Sequence, residues 1–296
     1  GGAALGADAG AVAGGGRAGL AGQLRGHVLR LAFDKNGCRV LQRALDLVPA
    51  QAQVHLAGEL KGHVLECAEH MYGNFVLQKF VQILPSEDIG FIAHEAEEHA
   101  EYLASHMFGC RTMQRLFERC APDHLQGTLA RVLTCVERLA RDRYGNNVVR
   151  HLLANGGASE QRYIIRAMAT GHDVVGLATC KSSSLVLEKC LEVATDGQHS
   201  AQLGAERAAL LDVLLARADT GEPKGWVLQQ IMLDRFGNYL VQRLIQCCRG
   251  DERERLLGQL KELEPRLRHS SSGKHILAAM RREFGPRAAE RAPARP

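Results

Sequence analysis

Apolar residues return every three or four positions along most of the chain, as at Leu56, Leu60, Val64 and Leu65 and again at Val76, Leu77 and Phe80. That spacing lines one face of a helix and predicts an all-α protein. No apolar run approaches the roughly 18 residues of a membrane span, so the stripes are expected to pack helix against helix. The pattern fails at both ends. The first 20 residues hold 8 glycines and 7 alanines, leaving almost nothing to bury, and 1–18 reads as a low-complexity arm. The tail 285–296, with three prolines and three arginines, is expected to be disordered. The repeat body is expected over 19–284, with weaker breaks at 195–202 and 219–224.

Inside that body one string returns in variant form. Asn36-Gly37-Cys38-Arg39-Val40-Leu41-Gln42 is echoed by Tyr72-Gly73-Asn74-Phe75-Val76-Leu77-Gln78 and Phe108-Gly109-Cys110-Arg111-Thr112-Met113-Gln114. Tyr144-Gly145-Asn146-Asn147-Val148-Val149-Arg150, Ser182-Ser183-Ser184-Leu185-Val186-Leu187-Glu188 and Phe236-Gly237-Asn238-Tyr239-Leu240-Val241-Gln242 follow. The third residues, at 38, 74, 110, 146, 184 and 238, each open a pentad formed by the last five residues of the string, and they are separated by 36, 36, 36, 38 and 54. A period in this range predicts a solenoid whose units share one continuous core. The long last step predicts an inserted helix and loop before Trp226. Gly26-His27-Val28-Leu29 and Gly62-His63-Val64-Leu65 lie the same 36 apart. A glycine precedes every pentad except the serine-bearing one, which suits a tight start to a helix.

On a helix, residues one and five of a pentad stand one turn apart on one face, with residue two beside them and three and four turned inward. Each repeat therefore offers two hydrogen-bonding groups and one flat or bulky group on one surface. Such triplets suit a splayed RNA base, met at its edge by the first and fifth residues and on its face by the second. A lone Asn, Gln, Cys or Ser on a helix is ordinarily solvated or capping, whereas six in phase form a ladder. Cys38 and Cys110 also fit as small buried apolar residues, and Arg39 and Arg111 as plain surface charges.

Over roughly residues 20–284 the chain resembles the Pumilio (PUF) RNA-binding domain. The strings that carry the likeness include Tyr72-Gly73-Asn74, Lys181-Ser182-Ser183-Ser184 with Glu188-Lys189-Cys190, and Gly273-Lys274-His275-Ile276-Leu277, which is similar to the family's C-terminal cap. The resemblance implies a curved, right-handed α-solenoid of three-helix repeats with the pentad on the second helix, binding single-stranded RNA one base per repeat. It implies uracil at Asn74/Gln78 and Asn238/Gln242, adenine at Cys38/Gln42 and Cys110/Gln114, and guanine at Ser184/Glu188. A carboxylate can indeed accept from both N1–H and N2–H of guanine. The stacking positions are Arg39, Phe75, Arg111, Asn147, Leu185 and Tyr239, of which Leu185 is a poorer platform than an aromatic ring or arginine and Asn147 has no broad face. Asn146/Arg150 departs from the family pattern, because Arg150 offers donors only. The family usually has eight such repeats. Here there are six and the cap, and the chain is either a fragment or an array that has lost its first repeats.

The formal charge of +4, from 37 basic and 33 acidic residues, neither demands nor excludes a polyanion. Nine cysteines without a C-x-x-C pair argue for free thiols in a reducing compartment. With no signal-peptide pattern at the start, the cytoplasm is the expected address. His94-Glu95-Ala96-Glu97-Glu98-His99 has its histidines five apart, one too many for the zinc-protease helix. No metal, cofactor or catalytic site is expected. The resemblance implies a monomer acting on messenger RNA 3′ untranslated regions, with protein effectors on the convex face. A nucleolar relative in ribosome assembly would go with strong basicity and degraded pentads. A protein-binding solenoid would carry apolar or charged groups where these pentads carry base-edge pairs.

Overall fold

The computed structural model describes residues 19–171, 173–217 and 225–284. The arm 1–18, the loop 219–224 and the tail 285–296 lie outside them. Among the described residues the regular structure is helical, with one isolated bridge between Arg217 and Trp226. The chain divides into two compact units, one ending at Cys135 and one beginning at Val136.

In the first unit each repeat is a short helix, a pentad helix and a third helix, such as Val64–Glu69, Gly73–Ile83 and Ser86–Glu97. The pentad helices Gly37–Leu45, Gly73–Ile83 and Gly109–Arg119 pack in succession, as do the third helices Ser86–Glu97 and Pro122–Thr134. Their inward residues, among them Leu41, Leu77, Phe80, Met113 and Leu116, are fully buried. In the second unit the pentad helices Gly145–Asn155, Lys181–Asp196 and Gly237–Cys247 stack likewise, and the last packs on the closing helix Ser271–Phe284. This is the α-solenoid arrangement expected from the period.

The glycine before each pentad answers to space and not to a left-handed backbone, for its φ is not positive. A Cβ on Gly37, Gly109 or Gly145 would stand 2.8 Å from the carbonyl oxygen of Leu31, Leu103 or Leu139, on the short helix before it. Where Ser183 replaces glycine, its buried hydroxyl donates to the equivalent carbonyl, Leu177 O, at 2.7 Å. The close approach survives because the clash has become a hydrogen bond.

Among the described residues the 54-residue step does not hold one inserted helix and loop. Part of it lengthens the pentad helix to Asp196 and adds a 3-10 turn at Ser200–Gln202, and the rest lies between Leu214 and Val227. Arg207 anchors the addition, donating to both carboxylate oxygens of Glu252 (2.6 and 2.8 Å), to Cys247 O (2.9 Å) and to Thr195 Oγ1 (3.2 Å).

The recurring Gly-His-Val-Leu string also has a structural cause. Gly26 and Gly62 turn with φ of 71° and 80°, a region costly for any residue with a Cβ. Glu59 then accepts from the N–H groups of Gly26 (2.8 Å) and Val28 (3.1 Å). Glu95 does the same for Gly62 (2.9 Å) and Val64 (3.3 Å). Each carboxylate clasps the first helix of a repeat to its third, and this is the role of Glu95 in the acidic His94–His99 segment.

Candidate functional site

The six pentads repeat one pattern of exposure. The first residue is buried: Cys38, Asn74, Cys110, Asn146, Ser184 and Asn238 are at most 5% exposed. Residues three and four are buried except Val40, which is 59% exposed, while the fifth, at Gln42, Gln78, Gln114, Arg150, Glu188 and Gln242, is half-buried. The second residue is exposed in five cases, Arg39, Phe75, Arg111, Leu185 and Tyr239, whereas Asn147 is half-buried with its amide bonded back to Tyr144 O at 3.1 Å. The first position thus lies deeper than sequence spacing implies, and the fifth residue presents the accessible edge.

Local hydrogen bonds fix what that edge offers. Asn74 Nδ2 donates to His70 O (2.8 Å), and Gln78 Nε2 donates to Asn74 Oδ1 (3.0 Å). Asn238 and Gln242 repeat the relay at 3.0 Å throughout. With Nε2 engaged, the glutamine Oε1 and its second N–H remain, one acceptor and one donor, as the uracil edge requires. In the cysteine pentad Gln42 Nε2 turns instead to the backbone, Cys38 O, at 2.9 Å. Two of the fifth-position residues keep a buried nitrogen without a partner, Gln114 at Nε2 and Arg150 at Nε. Burial pushes the Glu188 carboxyl above its usual range, against the pull of Arg243 and Arg150.

Between the first two pentad helices lies a cavity of about 290 Å³ lined by Lys35, Cys38, Arg39, Gln42, Tyr72 and Phe75. Four of these are sequence-expected site residues, and a guanidinium and a phenyl ring are the groups that hold a base by its faces. Lys35 and Tyr72 were not anticipated. They stand three and two residues before their pentads, where an aromatic returns at Phe108, Tyr144 and Phe236. In two repeats a guanidinium covers that ring, Arg143 over Tyr144 (5.4 Å) and Arg235 over Phe236 (4.7 Å).

A third series aims the pentad helices. Four residues before each pentad an acceptor side chain receives the first N–H groups of the helix, the usual means of satisfying a helix start. Asp34 Oδ1 accepts from Asn36 and Gly37 (3.0 and 2.6 Å), Asp142 Oδ1 from Tyr144 and Gly145 (2.8 and 2.6 Å), and Asp234 Oδ1 from Phe236 and Gly237 (2.7 and 2.8 Å). His70 and His106 do so through Nδ1, at 3.2 to 3.4 Å, and Ser270 Oγ accepts from Gly273 at 2.9 Å. Cys180 takes the place in the fifth repeat. Burial pushes its thiol up, but hydrogen bonds from Ser183 and Ser182 and the nearby Arg141 bring it below its ordinary value. Buried thiols elsewhere go the other way, Cys67 to about 12 and Cys120 to about 11. Asp142→Ala is expected to lower stability by about 1 kcal/mol, the usual worth of such a cap, read as a shift of the denaturant midpoint.

Among the described residues no group of three or more His, Cys, Asp or Glu can hold a metal ion, and no helix is long and apolar enough to cross a membrane.

Comparison with known proteins finds the same repeats. The model of the Pumilio-family RNA binding repeat matches residues 27–61, 63–95, 99–130, 135–168, 173–214 and 228–260. A Pumilio domain-containing protein of Schizosaccharomyces pombe is 26% identical over 169 residues, 57% of this chain and 22% of that protein. Pumilio homolog 1 of Arabidopsis thaliana is 35% identical over 157 residues, 53% of this chain and 15% of that protein. The chain thus matches no more than 22% of the length of either curated relative. Among solved structures, PUF-8 in complex with PBE-RNA superposes with a TM-score of 0.77 at 26% identity, covering 91% of this chain and 76% of that one.

Proposed function

Because the chain belongs to the Pumilio family of RNA-binding repeat proteins, we propose that it binds single-stranded RNA by sequence, one base to each of its six pentads. The observation that carries this reading is the recurrence of one exposure pattern in all six, buried first residue, exposed second, half-buried fifth, relaxed only at Asn147. Base edges meet Gln42, Gln78, Gln114, Glu188 and Gln242, and base faces meet Arg39, Phe75, Arg111, Leu185 and Tyr239. With the RNA antiparallel to the repeats, the preferred sequence is 5′-UGNAUA, with U favoured at N because Asn146 is kept. Such an element in a 3′ untranslated region makes the protein a cytoplasmic, post-transcriptional regulator that acts by recruiting or blocking other factors, without chemistry of its own.

The test is selection from a random RNA pool, sequenced after binding to the chain. Enrichment of UG followed two bases later by A is expected. Enrichment without that spacing would overturn the assignment of bases to pentads, and no enrichment would overturn RNA recognition by sequence.

A further inference from the structure

Arg150 is the cation among the fifth residues of the pentads, where the other repeats carry Gln42, Gln78, Gln114, Glu188 and Gln242. Its helix, Gly145–Asn155, packs directly on Lys181–Asp196, so Arg150 and Glu188 occupy the same register on adjacent helices. Both are half-buried. The Nε of Arg150 is buried and has no hydrogen-bond partner. From the opposite neighbour, Gly237–Cys247, comes Arg243, whose guanidinium is 3.2 Å from Gln246 Oε1 and 3.9 Å from Glu192 Oε2. On Glu188's own helix the nearest cation, Lys189, is paired with Glu192 at 2.7 Å. The charges that bear on Glu188 from the packed helices are therefore Arg243 and Arg150.

Resting on the RNA-binding reading above, we infer that Arg150 serves the next repeat: its guanidinium keeps the Glu188 carboxylate ionised and in place, and so sets the discrimination for guanine at the base met by Ser184 and Glu188. The reason lies in desolvation. A base seated over Glu188 removes its water, which favours the neutral acid. A neutral acid places an O–H donor against the N1–H and N2–H donors of guanine, and the match is lost. A cation alongside opposes that protonation without occupying the base edge. Arg150 is thus a positioning residue, and the departure in the fourth pentad and the carboxylate in the fifth work together. Burial already pushes the Glu188 carboxyl upward, so guanine preference should fade on acidification above the usual glutamate range, and earlier still when Arg150 is absent.

The experiment compares the parent chain with Arg150→Gln and Arg150→Lys on 5′-UGUAUA and on RNAs changed singly at the second or the third base, between pH 5 and 8 and at two salt concentrations. Arg150→Gln is expected to reduce guanine preference about fivefold, part of what a good bidentate base contact supplies, and to move its loss to higher pH. Arg150→Lys should restore both. Equal weakening of every RNA with a shallower salt dependence would mean a phosphate contact and overturn the inference, as would a change confined to the third base. A parent protein without guanine preference would overturn the underlying base assignment instead, and the inference with it.

Discussion

Replacing Ser184 by asparagine and Glu188 by glutamine together should move the preferred second base of the RNA from guanine to uracil. The carboxylate of Glu188 offers acceptors only, matching two N–H donors on guanine, while uracil has a single ring N–H between two carbonyls. The double substitution installs the relay seen at Asn74 and Gln78, in which the asparagine amide is held by a carbonyl four residues back and its oxygen holds the glutamine. Cys180 O stands at the equivalent place, accepting from Ser184 N at 3.0 Å. A correct base edge is worth about 1–3 kcal/mol, so the preference should reverse by at least tenfold in competition between the two RNAs. An unchanged guanine preference would show that this pair does not meet the base.

A substitution that touches no base should cost as much in stability. Gly237→Val drives a side chain into the carbonyl of Ile231, on the short helix that supports the sixth pentad. Forcing atoms into a filled space costs about 1–3 kcal/mol, and here backbone and not a flexible side chain must give way. The expected result is a loss at the upper end of that range in chemical denaturation, with weakened binding of the first base as Asn238 and Tyr239 shift. Ser183→Gly should be nearly neutral, since it restores what the other repeats have. Ser183→Val should behave like Gly237→Val, because it puts a γ-carbon, which cannot donate, where the Ser183 hydroxyl now bonds Leu177 O at 2.7 Å. An unaltered midpoint for Gly237→Val would mean that the two helices separate freely.

The pentads were legible because period and residue type coincide: an apolar pair at Val76 and Leu77 fixes the inward face, and Asn74 and Gln78 fall beside it at a spacing that only a helix makes meaningful. The series that orients those helices was not. Asp34, His70, His106, Asp142, Cys180, Asp234 and Ser270 share no residue type, only an acceptor atom four positions ahead of the pentad. Phase alignment with the pentads would have found them. The depth of the first position was also hidden, since Asn74 and Asn238 read as polar surface until the carbonyls beneath them are seen. The long step before the sixth pentad misled for a different reason. Its length gives a residue count but not its division between a longer helix, a 3-10 turn and the stretch beyond Leu214.

The carboxylate clasps bear on how the array can be cut and rejoined. Glu59 and Glu95 each close a stretch of chain into a ring tied by two hydrogen bonds, running from Gly26 to Glu59 and from Gly62 to Glu95. A break at residues 60 and 61 opens neither ring, whereas one inside a ring leaves a carboxylate without its donors and a helix start without its acceptor. The natural unit of transplantation is therefore the ring and not the pentad-to-pentad interval, and a graft that respects it carries its own closure along with its base preference.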